Sequence, residues 1–110
     1  YIEQEKFELA AENLVMATSL DEKDYFKFFN LAAAYNQLKQ WENATSAAQS
    51  CVDLNQKFGG GWLEFGLAEM GRRNKTRAKK YFDEARKDRD WREMAERKID
   101  EINNPEKYEK

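Results

Sequence analysis

The chain has 110 residues, room for one domain, and its 41% hydrophobic and 36% charged residues exclude a disordered chain and suit amphipathic helices. A net charge of −2 gives no reason to expect nucleic acid or an anionic membrane surface as partner. No histidine and a single cysteine exclude, or nearly so, zinc sites and catalysis by a histidine base or a cysteine–histidine pair.

Apolar spacing and punctuation predict helices throughout. Phe7, Ala10, Leu14 and Ala17 recur at helical intervals, so a first helix is expected from Gln4 to Ser19. Asp21 or Asp24 can cap the next, whose Phe28, Leu31, Ala32 and Tyr35 share a face and which should end near Lys39. Asn43 is expected to start a helix through Ala47, Ala48, Cys51 and Leu54. Gly59, Gly60 and Gly61 open the following one; glycine costs up to about 1 kcal/mol relative to alanine in a helix, so this helix is expected to fray or to begin near Gly61, as a loose turn or a hinge. A further helix spans Asn74 to Arg89, and the last runs from Trp91 to Asn103 with Met94, Ala95, Ile99 and Ile102 on one stripe. Pro105 should stop it, leaving the charged tail Glu106 to Lys110 disordered.

Two stretches superpose at an offset of about 34 residues. Phe28, Leu31, Ala32, Ala44, Ala48 and Cys51 fall onto Trp62, Phe65, Gly66, Ala78, Phe82 and Ala85. This alternation of large and small residues is what two helices need to pack closely as an antiparallel pair. Stepping backwards by the same period places Tyr1, Ala10, Leu14 and Ala17 in phase as well.

In these motifs, Phe28-x2-Leu31-Ala32-x2-Tyr35 with Ala44-x3-Ala48-x2-Cys51, and Trp62-x2-Phe65-Gly66 with Ala78-x3-Phe82-x2-Ala85, the chain resembles the tetratricopeptide repeat family. The resemblance implies an all-α solenoid of antiparallel helix pairs, wound as a right-handed superhelix. Residues 1–24 would be the second helix of a truncated unit, 25–58 and 59–92 complete units, 91–103 a capping helix and 104–110 a charged tail. A sequence starting inside a repeat is expected to be part of something longer. Departures from the family pattern stand at caps and turns: Glu22, Gln56 and Asp90 replace the closing proline, Lys39 and Arg73 the glycine between paired helices, and Glu69 a tyrosine.

The family's ligand-facing places fall at Phe26, Phe29, Ala33, Asn36 and Gln37 in the first complete unit, and at Gly60, Leu63, Leu67, Met70 and Gly71 in the second. The implied groove is apolar. Family members that clamp the acidic tails of heat-shock chaperones carry Lys, Asn and Arg there, so a protein or peptide partner with apolar anchors is expected instead. The alternative is a structural or oligomerisation segment whose groove is filled by its own chain or by a second copy. An exposed face on the Gln4 to Ser19 helix would favour such a homodimer.

The remaining features point to no chemistry. Carboxylates are scattered, and the three glycines lack the lysine and hydroxyl residue of a phosphate-binding loop. The expectation is therefore a non-enzymatic interaction module with no cofactor, no metal, no nucleic acid and no membrane insertion. Cys51 takes the place of a small packing residue and should be buried. The basic run Arg72, Arg73, Lys75, Arg77, Lys79 and Lys80 is followed by Asp83, Glu84 and Asp88 and reads as a solvated face. Asn43-Ala44-Thr45 and Asn74-Lys75-Thr76 fit the glycosylation sequon but also sit where asparagine caps helices. A lone buried cysteine suits a cytoplasmic or a bacterial periplasmic location equally.

Overall fold

The computed structural model describes residues 24–108, which are all helical in their regular structure. Helix α1 spans Tyr25–Gln37, α2 Trp41–Leu54, α3 Gly59–Gly71, α4 Lys75–Ala85 and α5 Arg92–Asn103, and a 3-10 turn follows at Pro105–Lys107. The expected Gln4 to Ser19 helix, the cap at Asp21 and the last two residues of the tail lie outside the described residues.

Local side-chain caps open two of the five helices, α1 and α4. Asp24 accepts from the Phe26 N–H at 3.0 Å, and Asn74 accepts from the Arg77 N–H at 3.1 Å, each satisfying a donor that the first turn leaves free. The second helix begins at Trp41 rather than Asn43, and Asn43 instead donates through Nδ2 to Gln40 Oε1 at 2.9 Å. The fourth ends at Ala85, short of the expected Arg89. Asp88 then leaves the helical path and caps its neighbour, as described below.

The turns between α1 and α2 and between α3 and α4 are built alike. Leu38 donates to the Ala34 carbonyl at 3.1 Å and Arg72 to Ala68 at 3.0 Å; Gln40 donates to Tyr35 at 2.9 Å and Asn74 to Glu69 at 2.8 Å. Each bond recurs 34 positions later in the chain. Lys39 and Arg73, the residues standing where a glycine is usual, both adopt left-handed backbone with φ of 60° and 64°.

Packing follows the same period. Each of α1 to α4 packs on the next helix, α4 packs on α5, and α1 also lies along α3. Leu31, Ala32, Ala47, Ala48, Val52 and Phe65 form one core cluster, and Leu63, Ala78, Phe82, Ala85 and Ala95 a second. All six residue pairs of the sequence repeat agree in burial: Phe28 and Trp62 are half-buried and the other ten residues are buried. Burying a side chain such as Phe82 contributes about 1.5–3 kcal/mol. At Gly66 a Cβ would run into that same Phe82 ring, which is why the small residue of this pair is a glycine.

The glycine run is neither frayed nor a hinge, contrary to expectation. All three glycines lie inside α3 and are buried. A Cβ on Gly59 would stand 2.7 Å from Asp88 Cβ and 2.9 Å from Trp91 Cβ; on Gly60, 2.6 Å from the Phe58 ring; on Gly61, 2.7 Å from Cys51 Sγ. Missing side chains let α2 and the α4–α5 connection approach the start of α3 closely. Asp88 Oδ2 accepts from the Gly59 N–H at 2.8 Å, supplying from a distance the cap that Phe58 cannot provide. Close approach and this borrowed cap offset the poor helix propensity of the run.

The tail also departs from expectation, because its described part folds back. Tyr108 donates through its hydroxyl to Asp100 Oδ2 at 2.6 Å, and Lys107 Nζ lies 3.6 Å from the same oxygen.

Candidate interaction groove

The odd-numbered helices place the ten family-implied groove residues in two unlike surroundings. On α1, Phe26 is 50% exposed, Ala33 and Phe29 are half-buried and Gln37 is exposed. On α3, Leu63 is only 2% exposed and belongs to the core with Phe82 and Ala95. It does not line an open groove. Leu67 and Met70 are half-buried against the same cluster, which Ile99 and Ile102 of α5 join. Gly60 is covered by Phe58 and Trp91, and a Cβ on Gly71 would enter the Trp41 ring. The C-terminal helix and Trp91 thus fill the α3 end of the implied groove, leaving its α1 end more open.

Aromatic rings bind that open end together. Phe29 meets Phe58 edge-on with centroids 5.1 Å apart and Trp91 at 5.6 Å, while Phe26 lies 5.5 Å from Phe29 and 6.1 Å from Phe58. Such tilted and edge-to-face pairs stabilise by about 0.5–1.5 kcal/mol each beyond their area. Phe58 and Trp91, from the segments just before α3 and α5, were not among the groove residues expected from the sequence. Their repeat spacing gave no signal, since they precede helices instead of lying on the first helix of a unit.

Asn36 is buried, with no open side facing a ligand. Its Nδ2 donates both to the Glu64 carbonyl at 3.0 Å and to Glu64 Oε2 at 2.7 Å, tying α1 to α3. Burial pushes the Glu64 carboxyl above the usual carboxylate range, and the bond from Asn36 offsets part of that rise. Cys51 is fully buried, as expected, and burial pushes its thiol up to about 12.

Among the described residues, no group of three or more His, Cys, Asp or Glu side chains is arranged to hold a metal ion. No described helix is long and apolar enough to cross a membrane. A scan against known protein families matches none, and a search of curated proteins finds no relative of this chain.

Proposed function

We propose that this chain is a non-enzymatic interaction module of the tetratricopeptide type, binding a peptide or a partner helix with apolar anchors along α1. The observation that carries the reading is the recurrence, 34 positions apart, of the same turn bonds and left-handed residues between paired helices, with α1 laid along α3. In that architecture the first helix of each unit faces the groove. Phe26, Phe29, Ala33 and Gln37 offer the accessible part of it, and Leu67 and Met70 its half-buried wall. The sealed Cys51 and the absence of histidine from the sequence support a role without covalent chemistry.

Selection of binding peptides from a random displayed library tests this. Enriched sequences should share large apolar residues, and their binding should fall at least tenfold in Phe26→Asp at a temperature where the melt shows that variant, which also loses the Phe29 and Phe58 ring contacts, to be folded. Enriched peptides that bind Phe26→Asp and Ala33→Arg as well as wild type would overturn the groove assignment.

A second reading is favoured by one observation: Trp91 already covers Gly60, and Leu63, Leu67 and Met70 pack into the core cluster that α5 joins through Ala95, Ile99 and Ile102. On this reading the groove is a packing surface for the chain itself. Light scattering over a concentration series discriminates, because a second copy on the α1 end would appear as a dimer that Phe26→Asp dissociates.

A further inference from the structure

Six of the chain's nineteen Lys and Arg residues fall between Arg72 and Lys80, a stretch with no Asp or Glu. Asp83, Glu84 and Asp88 follow closely enough to neutralise them, but all three are committed elsewhere. Asp83 lies 3.7 Å from Arg86 and Glu84 3.0 Å from Lys87, while Asp88 accepts from the Gly59 and Asp90 N–H groups. Lys79 and Lys80 stand four residues before Asp83 and Glu84, the less favourable order for a helical ion pair. Among the described residues, Arg72 alone of the six has an ion pair, with Glu69 at 3.2 Å.

All six are exposed, and they crowd the α3–α4 turn and the first two turns of α4. Lys79 and Lys80 line one open hollow with Thr76, and Arg77 shares another with Arg72. Lys75 and Lys79 stand at i,i+4, a repulsive spacing for like charges. Lys75 and Arg77 also occupy the first turn of α4, where the helix is already positive and no acidic side chain stands. An anionic partner relieves both costs. Its class is narrowed by what surrounds the patch. The net charge of −2, with Asp83 and Glu84 bordering the patch, disfavours an extended polyanion such as duplex DNA. A bilayer would find no apolar anchor, because Ala78, the one apolar residue of the run, is buried. The patch is also short: Lys75 to Lys80 rise about 8 Å along the helix, the reach of a few residues of extended chain.

We infer that Arg73, Lys75, Arg77 and Lys80 form a docking surface for a short acidic segment of a partner protein, separate from the α1 groove and independent of it. Amide NMR titration with hexaglutamate, acetylated and amidated at its ends, tests the assignment. The peptide should shift resonances from Arg73 to Lys80, and its affinity should fall at least tenfold from about 50 to about 300 mM salt. Lys75→Glu/Arg77→Glu places acids in the first turn of α4, one of them three residues after the Asn74 cap. This variant should therefore melt at or above wild type yet lose at least tenfold in affinity, a combination that a merely structural role would not produce. Lys57→Glu/Arg89→Glu makes the same change in net charge at exposed positions outside the patch, and should alter affinity less than twofold. No shift between Arg73 and Lys80, equal losses in the two double variants, or tighter binding of a short DNA duplex or of phosphatidylcholine vesicles carrying phosphatidylserine than of hexaglutamate would overturn the proposal.

Discussion

Lys39 and Arg73 hold the same left-handed backbone, φ 60° and 64°, at the ends of α1 and α3. A side chain in this region costs about 1–2 kcal/mol, which glycine avoids at some cost in unfolded-state entropy. Lys39→Gly and Arg73→Gly should each therefore stabilise the fold, by about 0.5–1 kcal/mol. The double variant should show additive gains, since the two turns share no partner. Urea unfolding of the three variants checks this, and a loss of stability in either single variant would contradict the strain argument.

Gly61 predicts the opposite sign. Alanine is the better helix former, yet its Cβ would sit 2.7 Å from Cys51 Sγ. Gly61→Ala should destabilise by about 1–3 kcal/mol through overpacking. Adding Cys51→Ala removes the obstructing sulfur, so the double variant should lose less than the two single losses combined. Calorimetric melts of the four proteins complete the cycle.

Glu64 couples stability to pH. Its folded pKa is raised, so the stability it contributes is fully present below its unfolded value and is lost as pH rises through the folded one. At neutral pH the ionised, desolvated carboxylate is a net cost. Glu64→Gln keeps an acceptor for Asn36 without the charge, and should melt higher than wild type at neutral pH. The difference should shrink as pH falls into the ordinary carboxylate range. A pH series of melting temperatures reads it directly.

The tail responds in the other direction at Asp100. The Tyr108 hydroxyl, then Asn104 and Lys107, hold its carboxyl below the usual range, so the contact is maintained above the unfolded pKa and lost as pH falls through the folded one. Tyr108 is raised by the same bond, so its contribution disappears as pH rises through its own folded value. NMR resonances of Tyr108 should therefore move at both acid and alkaline extremes, and Asp100→Asn should remove the acid step.

How far the sequence could be read depended on whether a neighbour was local. Leu31, Ala48, Phe82 and Ala85 were legible as core because a helix face declares itself by spacing alone. Lys39 and Arg73 were recognisable as irregular turn residues from their place in the period. Leu63 was not legible as core: its spacing matches Phe29, and the difference is made by a helix more than 30 residues downstream in sequence, which covers α3 and leaves α1 more open. The glycine run misled for the same reason. Propensity describes an isolated segment, whereas Asp88, Trp91 and Cys51 reach it through tertiary packing. The Asp100–Tyr108 bond reverses a tail whose composition alone suggests solvent.

The Gly61–Cys51 contact gives the protein a built-in clock. With its sulfur sealed beneath a bare backbone, Cys51 can meet a thiol reagent only when α2 and α3 part, since a buried thiol pushed up to about 12 is also almost never a thiolate. The alkylation rate of this one atom would report how often the two helical units separate, with no label and no partner.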